Sequence, residues 1–305
     1  MATPDGEIAT ARGTGRSGAG YCYNWMLSSK LYTDVIEEPG CKWLHLYIFQ
    51  ERDLVEASLK AAEATGAFSA VILTCDHPHT RVQRRMLPYF QSLPRPNPSS
   101  DPTKPFFPNQ AAVGFDDCSF EDMLQWDDTR PPPGGTNDST LSWDDVKWIK
   151  SKTKLPVVAK GIISAEDAKC AINAGVDAIV VSNHGGRQFD LAPPAIEALP
   201  AVVAAVKGKI PVLVDSGFRT SGDIIRAICL GATGVLLGRP ALWAMACDGS
   251  DGLERMLTNL RMDLECDMRS LGVSSLSQLG MTSLWPPDRE RIEQITRACC
   301  GQDAS

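Results

Sequence analysis

Long hydrophobic runs are missing from this 305-residue sequence. No stretch approaches the ~20 apolar residues that a membrane-crossing helix needs, so no span is expected. A net positive charge is missing too: 30 Lys and Arg stand against 37 Asp and Glu, a formal charge of −7. That leaves no footprint for nucleic acid or an anionic membrane. A small anionic substrate stays open, because local arginines matter more than net charge. The opening Met1-Ala2-Thr3-Pro4-Asp5-Gly6-Glu7 has no basic region leading into an apolar one, so no secretory signal is expected. The final Gly301-Gln302-Asp303-Ala304-Ser305 is not an S-K-L address. An intracellular protein, cytoplasmic or peroxisomal, is the expectation. The 10 cysteines form no C-x-x-C pair and read as buried, reduced thiols, apart from Cys299-Cys300 near the tail, which reads as exposed and oxidisable. No His/Asp/Glu set has metal-ligand spacing, and His77-Pro78-His79 reads as loop. No Gly-x-Gly-x-x-Gly follows a strand, which leaves a Rossmann nicotinamide site unsupported.

What is present is an alternation of strand and helix patterns. Strands are expected over Tyr21–Ser28, Trp43–Phe49, Phe68–Asp76, Leu155–Gly161, Gly175–Ser182, Ile210–Gly217 and Gly234–Arg239, from their β-branched, aromatic and apolar content. Helices are expected over residues 5–19, 33–38, 51–65, 142–152, 164–175, 194–207, 220–230, 252–271 and 286–299. Three of them open on Ser142, Ser164 and Thr220, each with Asp three residues on, the spacing that satisfies free helix-start amides. Residues 77–141 break the pattern. Prolines crowd them, and they read as a lid or insert loop with a short helix over Phe120–Trp126, or as a solvated linker. Alternating strands and helices imply a parallel sheet with right-handed crossovers. Eight such strands close a (β/α)8 barrel of about 250 residues, with its site at the strands' carboxyl ends. Seven strands are predicted, so an incomplete α/β barrel in one domain, 1–305, is the expected fold.

Polar residues gather at those carboxyl ends: Tyr47, Thr74, Asp76, Lys160, His184, Asp215 and Arg239. The stretch Ser182-Asn183-His184-Gly185-Gly186-Arg187-Gln188-Phe189-Asp190 carries the most chemistry. Strand alternation puts Ser182 and His184 on one side. His184 can move a proton near neutral pH, and Arg187 can clamp a carboxylate. Gly234–Arg239 and Asp215-Ser216-Gly217-Phe218-Arg219 together suit a phosphate: glycines let amides approach, and arginine adds charge-assisted bonds. Asp215 itself suits a sugar-alcohol hydroxyl. Lys160 could stabilise a negative charge on a bound ring or form a Schiff base.

The stretch 182–190 closely resembles the S-N-H-G-[GA]-R-Q-L-D signature of the flavin-mononucleotide-dependent 2-hydroxy-acid oxidases and dehydrogenases. Residues 1–12 resemble that family's H-P-D-G-E-x-A-T-A-R, Leu73–Asp76 its L-T-x-D, Val158–Gly161 its V-K-G, Asp215–Arg219 its D-[GS]-G-[VF]-R, and Gly238-Arg239-Pro240 its G-R-P. The resemblance implies FMN-dependent oxidation of a small (S)-2-hydroxy acid to a 2-oxo acid, with O2 reduced to H2O2. It makes His184 the base, Asp76 the stabiliser of its charged form, and Tyr47 a hydrogen-bond partner of the substrate. Arg187 would bind the substrate carboxylate, with Arg84 the nearest candidate for a second arginine. Lys160 would face the flavin. Ser28, Thr74 and Ser182 would line it, and Asp215, Ser216, Gly217, Phe218, Arg219, Gly238 and Arg239 would hold its ribityl phosphate. A homotetramer is the family habit. His45 stands where the family has glutamine, Lys30 where it has tryptophan, and the family's first barrel strand has no counterpart in the sequence. An inactive homologue, or a dehydrogenase with another electron acceptor, is the alternative.

Overall fold

The structure is a computed structural model that describes residues 2–77, 108–115 and 137–300. The expected helix over Phe120–Trp126 and the candidate arginine Arg84 lie outside the described residues. The chain divides into two compact units, Met1–Leu155 with Trp243–Glu254, and Pro156–Leu242 with Arg255–Ser305.

In the first unit, α1 (Gly6–Ser17) leads into β1 (Tyr21–Asn24), α2 (Tyr32–Ile36), β2 (Lys42–Leu46), α3 (Arg52–Thr65) and β3 (Phe68–Thr74). A short α4 (Pro108–Ala112) and α5 (Trp143–Lys152) follow. β1 pairs with β2 and β2 with β3, both parallel. The apolar run at β3 is buried at all but Ser69, the pattern of a strand covered on both faces. The strands are shorter than their sequence patterns. β1 stops at Asn24 because its side chain accepts from the Leu27 amide and turns the chain. The predicted capping box at Ser142 is present: its hydroxyl accepts from the Asp144 amide, and Asp145 accepts from the Ser142 amide at 2.7 Å.

The glycines at 13 and 15 read as helix weakeners, but they serve close packing in α1. A Cβ at Gly13 would stand 2.6 Å from the Ser250 carbonyl oxygen, and one at Gly15 2.1 Å from that of Pro39. Lys42, 3% exposed, gathers the carbonyls of Glu38, Pro39 and Gly40 on its ammonium and so fixes the loop that meets Gly15.

In the second unit, β4 (Val157–Ile162), α6 (Ala165–Asn173), β5 (Ala178–Val181), α7 (Ala195–Val206), β6 (Val212–Val214), α8 (Ser221–Cys229) and β7 (Gly234–Val235) alternate as expected. The pairs β4–β5, β5–β6 and β6–β7 are parallel. Ser164 and Thr220 cap their helices by accepting from the Asp167 and Asp223 amides. β7 is two residues long where six were expected: its pairing with β6 ends at Val235, and Arg239, the last expected strand residue, instead opens α9 (Arg239–Ser270). The expected helix over 252–271 is the distal part of α9, which breaks at Asp248 and Gly249. The final helix, α10 (Pro286–Cys300), is as predicted. Seven parallel strands are thus found among the described residues.

The cysteine expectation is corrected in part. Among the described cysteines whose side chains are placed, only Cys229 is buried; Cys22 and Cys75 are half-buried, and Cys41, Cys170, Cys247 and Cys266 are exposed. Cys170, Cys247 and Cys266 lie on helices, where apolar neighbours in sequence do not bury a position that faces outward, and Cys41 lies in the loop before β2.

Two predictions concern the first unit. Gly15→Ala is expected to destabilise the protein by about 2–3 kcal/mol, since the Pro39 backbone must move. Gly20→Ala, whose Cβ would meet only the Cys41 carbonyl at 3.9 Å, is expected to be near neutral; urea denaturation of both variants checks this.

The second concerns Arg52, which bonds Asp138 at 2.6 Å and Asp145 at 2.7 Å and lies 5.3 Å from the Trp148 ring centre. Burial works against the Asp138 charge, but the Thr140 hydroxyl and amide and the Arg52 guanidinium outweigh it and hold the carboxyl below its usual range. A lowered folded-state value gives stability that is full above the unfolded value of about 3.9 and lost as pH falls through the folded one. Asp138→Asn is therefore expected to cost roughly 1–2 kcal/mol near neutral pH. Its deficit relative to wild type should vanish below the carboxylate range, as denaturation followed against pH would show.

Candidate active site

Each unit places its share of the predicted residues at the carboxyl ends of its strands. In the second unit, the bulge in β4 decides the geometry. The β4–β5 register shifts between Lys160 and Ile162, and Gly161 between them has φ 107°. An extra residue in one strand re-aims its neighbours. Lys160, 9% exposed, ends up with its ammonium 3.1 Å from the Ser182 hydroxyl and 3.2 Å from an Asp215 carboxylate oxygen.

From there a closed ring of contacts runs through the signature turn. Ser182 Oγ accepts from the His184 amide at 3.0 Å. The next amide, Gly185, donates to Ser216 Oγ at 2.9 Å, and Ser216 donates to Asp215 Oδ1 at 2.7 Å. Asp215 closes the ring on Lys160. Arg239 braces the turn from outside, donating to the Gly185 carbonyl at 2.7 Å. Asn183 closes it from within, accepting the Gly186 amide at 3.1 Å and donating to the Pro193 carbonyl at 3.2 Å.

This ring explains the backbone. His184, Gly185, Gly186 and Ser216 all have positive φ, at 58°, 69°, 73° and 75°. For His and Ser that region is sparsely populated and persists only where surrounding bonds over-determine it. The expectation that strand alternation sets His184 beside Ser182 is corrected here. β5 ends at Val181, and the left-handed turn, held by the Ser182 hydroxyl, places His184. Arg187 lies in the same turn and is exposed.

The expected phosphate cradle has open ground at its glycines. A Cβ at Gly217 or Gly238 would meet nothing within 4 Å. Phe218 is buried beneath at 5% exposed, and Arg219 stands exposed at the start of α8. Arg239 is turned onto Gly185 rather than standing apart as a free cation.

In the first unit, Tyr47 and Thr74 are buried at the ends of β2 and β3, and Asp76 is partly buried two residues further. His45 Nε2 and Thr74 Oγ1 share a hydrogen bond of 2.7 Å. The His45 and Tyr47 rings lie 5.3 Å apart, the same-face pairing expected of a strand. Ser28, 2% exposed, donates its hydroxyl to the Asn24 carbonyl. Sequence reasoning missed His77. Its ring stands edge-on to Tyr47, 5.4 Å between centroids, and its Nδ1 lies 2.6 Å from Asn137 Nδ2. No sequence signal links residues 60 apart across a proline-rich segment.

The donor set fits FMN. An ammonium has three donors; Ser182 and Asp215 take two from Lys160, and the third suits a ring that gathers negative charge. The open glycine amides and Arg219 suit a phosphate.

The family model described as FMN-dependent dehydrogenase matches residues 1–286. Glycolate oxidase 3 of Arabidopsis thaliana is 38% identical over 296 residues, 93% of this chain and 74% of the relative. A peroxisomal (S)-2-hydroxyacid oxidase of Arabidopsis thaliana is 36% identical over 308 residues, 97% of this chain and 77% of that one. Among solved structures, mandelate oxidase with (S)-2-phenylpropionate superposes with a TM-score of 0.73 at 34% identity, covering 90% of this chain and 71% of that chain. The seven parallel strands and this likeness make the fold an α/β one of the (β/α)8 barrel class, as the sequence predicts.

Ser216 gives the sharpest test of the ring. Ser216→Ala keeps the left-handed strain and loses both bonds, an expected cost of about 1–2 kcal/mol. Ser216→Gly loses the same bonds but relieves strain worth about 1 kcal/mol, so it should be the more stable of the two. Their order in urea denaturation is the check.

Proposed function

Because the chain belongs to the FMN-dependent dehydrogenase family, we propose that these residues oxidise a small (S)-2-hydroxy acid to its 2-oxo acid. FMN, when bound, supplies the two-electron acceptor, and O2 takes the electrons on to give H2O2. The observation that carries the reading is the Lys160–Asp215–Ser216–Gly185–His184–Ser182 ring, which ties the flavin lysine to the histidine turn.

The roles follow from what each side chain offers. His184, held in its left-handed turn, takes a proton from the substrate as general base. Asp76 stabilises the imidazolium so formed. Tyr47 hydrogen-bonds the substrate, and the exposed Arg187 pairs with its carboxylate. Arg84 is assigned as a second carboxylate partner. Lys160 keeps a nearly buried cation where negative charge develops, a setting in which a fixed charge is worth more than in water. Ser28, Thr74 and Ser182 line the cofactor. Asp215, Ser216, Gly217, Phe218, Arg219, Gly238 and Arg239 hold its ribityl phosphate end. His45 replaces the family's glutamine, and its bond to Thr74 keeps a ring donor or acceptor beside that cofactor-lining hydroxyl.

We extend the proposal to one functional domain over 1–305, a homotetramer, and a cytoplasmic or peroxisomal setting. The named peroxisomal relative supports the last. No helix among the described residues is long and apolar enough to cross a membrane.

The visible spectrum of the purified, FMN-loaded protein tests the reading, taken before and after anaerobic addition of glycolate, lactate or a longer 2-hydroxy acid. Bleaching of the flavin band by one of these is expected. Uptake of FMN with no bleaching by any of them would overturn it. His184→Gln is expected to keep FMN and slow bleaching by roughly 10²–10⁴-fold.

A further inference from the structure

Two residues that no role above uses converge on Tyr47. His77 follows the catalytic-site aspartate directly and turns its ring edge against the Tyr47 ring. Asn137 lies 60 residues later, at the far side of the proline-rich segment. Its amide nitrogen is 2.6 Å from His77 Nδ1 and 3.4 Å from the His77 carbonyl. An amide nitrogen donates, so Asn137 has one hydrogen for Nδ1 and one for the His77 carbonyl.

Asn137 is itself fixed by backbone. It forms an antiparallel bridge with Phe49, and the Asp138 amide donates to the Ile48 carbonyl at 3.0 Å. Arg52 then holds Asp138 and the Phe49 carbonyl. The segment that orients His77 is therefore strapped to the two residues that follow Tyr47 in the chain. The Tyr47 ring, 8% exposed, stands between His45, which is anchored on Thr74, and His77, which is anchored on Asn137.

We propose that His77 and Asn137 are positioning residues for Tyr47: Asn137 fixes the His77 ring, and the His77 edge fixes the direction of the Tyr47 hydroxyl. This rests on the reading above in which Tyr47 meets the substrate. Edge-to-face contact constrains a ring's rotation without itself bonding the hydroxyl. A misdirected hydroxyl weakens a contact that depends on placement to a fraction of an ångström.

Asn137→Leu is the test, because it removes the bond to His77 without touching Tyr47. The protein is labelled with 3-fluorotyrosine at its five tyrosines, and the Tyr47 line is assigned by its loss in Tyr47→Phe. In Asn137→Leu the Tyr47 fluorine line is expected to shift, with or without FMN. In the FMN-loaded enzyme, kcat/KM for the 2-hydroxy acid is expected to fall on the order of tenfold, chiefly through KM. The same substitution in a Tyr47→Phe background is expected to cost almost nothing further. Asn137→Ser gives the same readouts should Asn137→Leu not fold. An unmoved Tyr47 line in a folded Asn137 variant overturns the proposal, and so does a penalty that persists undiminished without the Tyr47 hydroxyl. Failure of the oxidase reading itself looks different: wild-type protein turns over no 2-hydroxy acid, while the fluorine result still decides the positioning role.

Discussion

The buried pair of Lys160 and Asp215 is the interaction on which the rest of the second unit depends. Two charges taken largely out of water are costly unless their remaining donors and acceptors are met, and losing either partner strands the other, at about 3–5 kcal/mol. Here Ser182 takes a second Lys160 donor and Ser216 donates to Asp215, and each serine also holds an amide of the histidine turn. The charge pair thereby fixes the path of the backbone through His184 and Gly185. In the proposed reading it also supplies the cation beside the flavin ring. Stability and chemistry are drawn from the same few atoms, which is why a turn with non-glycine residues at positive φ persists there.

The first unit reaches comparable order by other means. Its aromatic row is anchored at both ends by hydrogen bonds, at Thr74 and at Asn137. Arg52 gathers Asp138, Asp145 and the Phe49 carbonyl, so one guanidinium ties α3, the start of α5 and the chain just past β2. Lys42 does the same for the loop before β2 by capping three carbonyls. Close contact at Gly13 and Gly15 seats α1. The residues around Tyr47 are thus held by packing and directed bonds.

Much of this was legible in the chain. Ser142, Ser164 and Thr220 mark helix starts because their hydroxyls satisfy amides only one turn away, a local matter. The order of strands and helices, and the place of Tyr47 and Asp76 in one unit and of Lys160 and His184 in the other at or just past strand ends, also read directly. Strand lengths did not. β6 and β7 have three and two residues because a strand ends where its neighbour stops pairing, which side-chain pattern does not record. Cysteine burial did not read either, since exposure depends on which helix face turns outward. His77 looked like loop because its partners, Tyr47 and Asn137, are 30 and 60 residues away.

The sequence by itself determined the class of fold and the chemistry on offer: a run of buried parallel strands, a base, cations and glycine turns at their ends, in an order that a family signature spans. These follow from periodicity and residue type, which are properties of short stretches. Tertiary structure decided which groups meet. It paired Lys160 with Asp215 through a bulge at Gly161, turned Arg239 onto Gly185, and set His77 against Tyr47. Those choices depend on distances between residues far apart in the chain, and only folding supplies such distances.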